Sequence, residues 1–345
     1  MRKLAGWIAA LLLWTALAPC AAAESKRYET SFLDVFDTFS QVVVYADTQE
    51  AAQEILQAVH DELKYYHRLF DIYQSYEGVN NLYTVNRNAG IAPVAVEEPL
   101  YDLIAFGKEM YARTGGKTNI ALGSVLSIWH EYRELGLADP EHAAVPSAEE
   151  LYRAGEHTDI EQVVLDPEAG TVYLADPEMS LDVGAVAKGY AVELTARKME
   201  AQGVASLLMS IGGNLRSIGR KGDGTTWRAG VQNPDLTAAA QNLAVLDLTD
   251  ASLVTSGNYQ RYYTVDGKQY HHIIDPETLY PAEYNWAVSV LTADSGLADA
   301  LSTALFAMPV EDGKKLADGW EGVEALWVRQ DGTMEYSAGW PEADG

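Results

Sequence analysis

Three clusters in this chain combine residue types and spacings that could do chemistry. In MSLDVGAVAKGYAVELTARKM, residues 179 to 199, Asp182 and Lys188 flank a turn of small residues that includes Gly184, Ala185, Ala187 and Gly189. Small residues let a ligand or ion approach the backbone, and the unpaired N–H groups opening the next helix favour negative charge. Such a turn suits a phosphate or a cation, although the same glycines would also serve tight packing of a helix on a sheet. In the second cluster, LADALSTALF, Asp299 and Thr303 stand four apart; at ~100° per residue they share a helix face opposite Leu297, Leu301, Ala304, Leu305 and Met308. A carboxylate and a hydroxyl so spaced suit a hard cation such as Mg²⁺, which takes one or two protein oxygens and fills its shell with water and substrate phosphate. The alternative is a solvated polar face. In the third, YHHIIDP, His271 and His272 are adjacent on a strand and point to opposite faces. One of them can enter a shared site as a general base, or both are structural. Residues 210 to 214 (SIGGN) and 255 to 258 (TSGN) either offer backbone N–H groups to an anion or turn hairpins.

These residues need elements to hold them. A polar connector at 24–30 precedes a strand over 39–45, and residues 47–73 have helical period, with Ile55, Leu56, Val59, Leu63, Tyr66 and Phe70 on one stripe. Residues 74–96 read as loops, a helix follows Pro99 and stops at Gly115-Gly116, and Ser147 caps another short helix. From residue 160 the rhythm changes to short strands, with hairpins around Asp166-Pro167, Gly212-Gly213-Asn214, Asp266-Gly267 and Asp331-Gly332. Strands fit 227–232, 245–248 and 286–292, and a helix fits 296–308. In the 179–199 stretch a strand-like apolar run leads into a helix that buries Val186, Tyr190 and Leu194. Hairpins with helices between them predict an α+β fold with a largely antiparallel or mixed sheet core and flanking helices.

The charge balance, 24 basic against 50 acidic residues and a net −26, repels nucleic acid and anionic lipid. A phosphate-bearing substrate needs a local remedy, most simply a divalent cation. Residues 1–23 read as a secretory signal: Arg2 and Lys3, an apolar run from Leu4 to Leu17, then Ala18-Pro19-Cys20 and three alanines. Leu17-Ala18-Pro19-Cys20 resembles a lipobox that would lipidate Cys20; cleavage after Ala23 is the alternative. With one cysteine in the chain, neither a disulfide nor a thiolate metal site is available. Residues 24–345 then form one region, a large domain or two intimate lobes.

Taken in order, FDTFSQVVVY, NIALGSVLSIW, LDVGAVAKGYA, SIGGNLRSIG, WRAGVQNP, VTSGNYQRYY, KQYHHIIDPETLYPA and LADALSTALF resemble the ApbE family, the FAD:protein FMN transferases, across residues 34–330. The resemblance implies an ApbE-like flavin transferase fold and an exported, often lipid-anchored enzyme. Such an enzyme binds FAD with Mg²⁺ and transfers the FMN half to a threonine or serine of a target protein, releasing AMP. It further implies that Asp182 and Lys188 contact FAD, and that the Ala185 carbonyl, Asp299 and Thr303 hold the metal. His272 matches the catalytic histidine, Tyr73 a flavin-site tyrosine, Ala121, Leu122 and Gly123 a flavin-lining backbone, and Phe36 a position often held by Met. Asp37, Asn214, Asn258 and Leu279 depart from the family pattern, Asp37 and Leu279 at positions usually held by Gly. The implied acceptor is a membrane redox subunit of the Rnf or sodium-pumping NADH:quinone reductase (Nqr) type, or another exported flavoprotein. The competing class is an exported FAD-binding or scavenging lipoprotein with slow FAD pyrophosphatase activity.

Overall fold

The computed structural model describes residues 25–342; the stretch read as a secretory signal, with Cys20, lies outside them. At its centre is an eight-stranded sheet in the spatial order Lys26–Phe32, Ser40–Ala46, Ser206–Ile211, Asn214–Gly219, Ser252–Gly257, Asn285–Thr292, Glu324–Arg329 and Met334–Tyr336. Every pairing in it is antiparallel. Successive side chains on a strand face opposite ways, so the middle strands have two buried faces. Val42 and Val44 join the core beneath the helices, whereas Val43 joins a second core beneath the ribbon formed by Trp227–Gln232 and Asn242–Leu248. The same alternation separates Val254 from Leu253, and Trp327 from Leu326 and Val328.

Three helices cover the first face: Gln49–Phe70, Ala187–Ala201 and Ser295–Phe306. The last two cross closely. A Cβ on Gly189 would lie 2.2 Å from the Ser295 carbonyl oxygen and 2.4 Å from Asp299 Cβ, so only glycine permits the approach. Elsewhere, the hairpin Tyr262–Val265/Lys268–His271 packs on the helix Gly123–Ala138 through Trp129, Tyr263, Tyr270 and Leu279.

Several sequence expectations are corrected. Residues 26–32 are a strand rather than a connector: their side chains are mostly exposed because this is a sheet edge, which leaves little apolar signal. The loops at 74–96 contain the helix Leu82–Arg87, capped by Asn81. Residues 179–183 form no strand and join no sheet. Their backbone is satisfied by Asn86, whose side chain accepts from the Leu181 N–H and donates to the Leu181 carbonyl, and by the Ile120 carbonyl, which takes the Asp182 N–H. In the following helix the buried face is built on Ala187, Ala191 and Ala196; Tyr190 and Leu194 are only half-buried.

Candidate active site

One cavity of about 800 Å³ opens beside this helix crossing. It is lined by Tyr73, Leu122, Asp182, Ala185, Lys188, His272, Asp299 and Thr303, which the chain brings together from five separate segments. Phe36, Ala121 and Gly123 do not line it. Phe36 sits edge-on to His67 and donates its N–H to His67 Nδ1 at 3.2 Å, beside Asp37, which does line the cavity. Ala121 is fully buried behind the wall. Gly123 opens its helix where the 179–186 segment passes: a Cβ there would meet the Ser180 carbonyl oxygen at 2.3 Å.

Asp299 is 3% exposed, so its helix face is not a solvated one. Its Oδ2 accepts the Gly189 N–H at 2.8 Å and lies 3.6 Å from Lys188 Nζ. Burial pushes its pKa up, and Lys188 and the Gly189 N–H partly offset this. Because the Gly189 N–H goes to Asp299, the Ala185 carbonyl accepts no hydrogen bond among the described residues. The Thr303 hydroxyl has one long contact, 3.5 Å to Ser256 Oγ. Carboxylate, carbonyl and hydroxyl thus face one cavity with unused lone pairs, a donor set that could hold a hard cation. No cluster of three His, Cys, Asp or Glu suited to a metal occurs among the described residues. A cation here would therefore rely on one carboxylate, with water or substrate completing its shell.

Asp182 accepts the Gly184 N–H at 2.8 Å, which pins the turn; burial raises its pKa, and that N–H, His130 and Lys188 oppose the shift. The two histidines differ sharply. Both residues border the cavity, but the His271 ring packs edge-on against Phe306 at 5.5 Å. His271 is buried, with Nε2 on the Ala282 carbonyl at 2.9 Å and Nδ1 accepting the Ile273 N–H at 3.3 Å, and its pKa falls to about 4 because burial disfavours its charge. His272 opens onto the cavity, and its Nδ1 lies 3.2 Å from the Arg261 carbonyl. The surrounding walls strip away bulk water, and with the Arg261 cation and His271 they push its pKa down to about 3.

The lining also holds residues that the sequence reading passed over: Lys117, His130, Arg133 and Arg261. Lys117 pairs with Asp275 at 2.9 Å, 158 residues away; Tyr73 lies 5.5 Å from the His130 ring. With Lys188, the cations Lys117, Arg133 and Arg261 make four that line the cavity against three carboxylates, Asp37, Asp182 and Asp299, reversing the balance of the whole chain. A weak signal was present in WHEYR, where Trp129, His130 and Arg133 share a helix side at i, i+1 and i+4.

Residues 36–327 match the family model described as "ApbE family". A FAD:protein FMN transferase of Treponema pallidum (strain Nichols) is 33% identical over 331 residues, covering 92% of this chain and 88% of that protein. One of Escherichia coli (strain K12) is 30% identical, covering 75% and 72%. The crystal structure of the ApbE protein of Thermotoga maritima superposes with a TM-score of 0.79 at 29% identity, covering 91% of this chain and 97% of that one. The fold and the cavity therefore define a protein of the flavin-transferase type of α+β architecture. The chain belongs to the ApbE family.

Proposed function

We propose that this transferase of the ApbE family moves the FMN half of FAD onto a threonine or serine of an acceptor protein, with Mg²⁺ bound, and releases AMP. The observation that carries the reading is the meeting, in one cavity, of an oxygen cradle for a cation, a lysine and a histidine whose Nδ1 is committed to a carbonyl. A carbonyl only accepts, so Nδ1 carries the proton and the Nε2 lone pair of His272 is left to act as base. An acceptor hydroxyl has a pKa far above neutrality and needs such a base. As it attacks the FMN phosphorus, an O–P bond forms, the bond to the bridging oxygen breaks, that oxygen departs on AMP, and the hydroxyl proton passes to His272.

Mg²⁺ held by the Ala185 carbonyl, Asp299 and Thr303 would supply charge neutralisation at the phosphate oxygens. Lys188 adds a positive charge beside Asp299, and the Gly184 N–H keeps Asp182 turned to the site for FAD. On this reading Tyr73 and Leu122 line the flavin position, while Phe36, Ala121 and Gly123 support it from behind. The rest of the catalysis is placement of an acceptor segment in line with the leaving phosphate.

The acceptor we propose is an extracytoplasmic flavoprotein subunit of the Rnf or Nqr type, with the enzyme exported and held at the membrane by a lipid on Cys20. One assay tests the chemistry. Mature protein, FAD, Mg²⁺ and the extracytoplasmic domain of an Rnf-type flavoprotein subunit should yield a fluorescent covalent band and stoichiometric AMP. Free FMN and AMP with no labelled acceptor would identify a pyrophosphatase instead, and tight FAD binding without products a carrier.

A further inference from the structure

One cation of the cavity has no carboxylate partner among the described residues. Lys117 lies 2.9 Å from Asp275 and 3.2 Å from Glu277, Arg133 lies 3.2 Å from Glu134, and Lys188 lies 3.6 Å from Asp299. Arg261, the fourth, makes no ion pair among the described residues. Its guanidinium has a single weak tie, from Nη2 to the neutral Asp37 carbonyl at 3.4 Å. In a chain with 50 acidic and 24 basic residues, a guanidinium in a concave site without a carboxylate partner is available to an incoming anion. Its backbone is equally placed. The Arg261 carbonyl accepts both the His272 N–H and His272 Nδ1, each at 3.2 Å, so the guanidinium rises from the residue that orients the base.

We infer that Arg261 is a substrate-contacting residue whose guanidinium binds the non-bridging oxygens of the phosphoryl group under attack. The inference deepens the transferase reading and rests on it. A base must sit within about 3 Å of the attacking hydroxyl, and that oxygen within about 3.5 Å of the phosphorus. The reacting phosphoryl group is therefore about 6 Å from the His272 ring, within the span of an arginine anchored at the carbonyl that holds that ring. A planar fork of N–H donors matches phosphate oxygens in pairs, and it neutralises charge where the bond to the departing AMP breaks. Lys188 is engaged with Asp299; Arg261 puts the complementary charge beside the base.

The test uses the full mature protein with FAD, Mg²⁺ and the same Rnf-type acceptor domain. Arg261→Gln should lower kcat for AMP release by about 100-fold, and Arg261→Lys should restore part of the loss. Fluorescence titrations should weaken for FAD and be unchanged for riboflavin, which has no phosphate. The acid limb of the rate should also move to higher pH in Arg261→Gln. The charges acting on His272 are Arg261, His271 and Lys188, and removing the first lets the ring protonate more readily. A wild-type kcat in Arg261→Gln overturns the inference, as does a rise in KM for the acceptor alone, which would mark a contact to an acidic acceptor side chain. Equal loss of FAD and riboflavin binding would mark a structural role and also overturn it. If the wild-type protein itself forms neither labelled acceptor nor AMP, the transferase reading fails first and the inference with it.

Discussion

The helix crossing and the cavity mouth are built in opposite ways. At the crossing, Asp299 is held by a backbone N–H of the neighbouring helix, and one turn along, buried Glu193 accepts from the Ser295 N–H and from Arg216 and Arg197, each at 3.0 Å. Two rungs four residues apart thus lock the helices in register, with glycine at the closest approach. At the mouth, Phe36 and Asp37 both have positive φ, 51° and 47°, Phe39 and Tyr73 are 59% and 63% exposed, and the tie across the gap is the 3.4 Å contact from Arg261. The difference teaches a division of labour. On the proposed reading, the two side chains that would hold the ion, Asp299 and Thr303, sit on a helix packed at the crossing, while turns and strand ends form the mouth that would admit the substrates.

Removing a rung should break the contrast most. Asp299→Ala takes away the one carboxylate of the oxygen set and should reduce Mg²⁺-dependent flavinylation to background; transfer at the wild-type rate would refute the metal assignment. Glu193→Ala leaves Arg216 buried against only Glu200 and its neighbour's carbonyl, and should cost about 3 kcal/mol in urea unfolding. It should also weaken Mg²⁺ binding, since Asp299 would lose its register; an unchanged urea midpoint would show that the second rung carries no load.

The histidine pair sharpens the comparison through pH. His271 is neutral when folded, with its pKa at about 4, whereas in the unfolded chain it titrates near 6.5. Below 6.5 the unfolded state therefore binds the extra proton, and stability falls as the pH drops from 6.5 towards 4. The share of the loss due to His271 should reach roughly 2 kcal/mol by pH 5, and His271→Gln should reduce the slope in melts recorded from pH 7 to 5, the remainder belonging to His272, whose pKa is lowered in the same direction. The smallest effect belongs to the mouth. Asp37→Gly should relieve a left-handed backbone and stabilise the fold by about 0.5–1 kcal/mol, read as a small rise in Tm, and a fall in Tm would mean that the Asp37 side chain does more than occupy a turn.

Much of this was legible in the residues. The Asp299/Thr303 spacing, the hairpins at Asp266-Gly267 and Asp331-Gly332, and the Ser147 cap are all local, and they stand where the pattern put them. The departures from family glycines also acquire a physical meaning. Asp37 and Leu279 both lie at positive φ, Leu279 at 62°, and Leu279 is held there by its buried side chain and by Trp129, whose Nε1 donates to its carbonyl at 2.9 Å. The edge strand at Lys26–Phe32 was not legible, because an edge gives its side chains to water and its pairing to a distant segment. Lys117 and Arg261 were not legible for a related reason: each sits in a connecting segment with no companion nearby in sequence to mark it, whereas Arg133 had only the weak signal of His130 beside it.

By itself, then, the sequence determined the periods, the turns and which residues within one helix or one strand could act together, since those follow from backbone geometry over a few residues. Tertiary structure alone decided that the Gly189 N–H would be spent on Asp299, 110 residues away, leaving the Ala185 carbonyl free. It also decided that Arg261 would cross to Asp37 over 224 residues while its carbonyl set the tautomer of His272. Hydrogen bonds of this kind join groups whose separation along the chain carries no information about their distance in space, and they turn a small-residue turn, a helix and a strand end into one site.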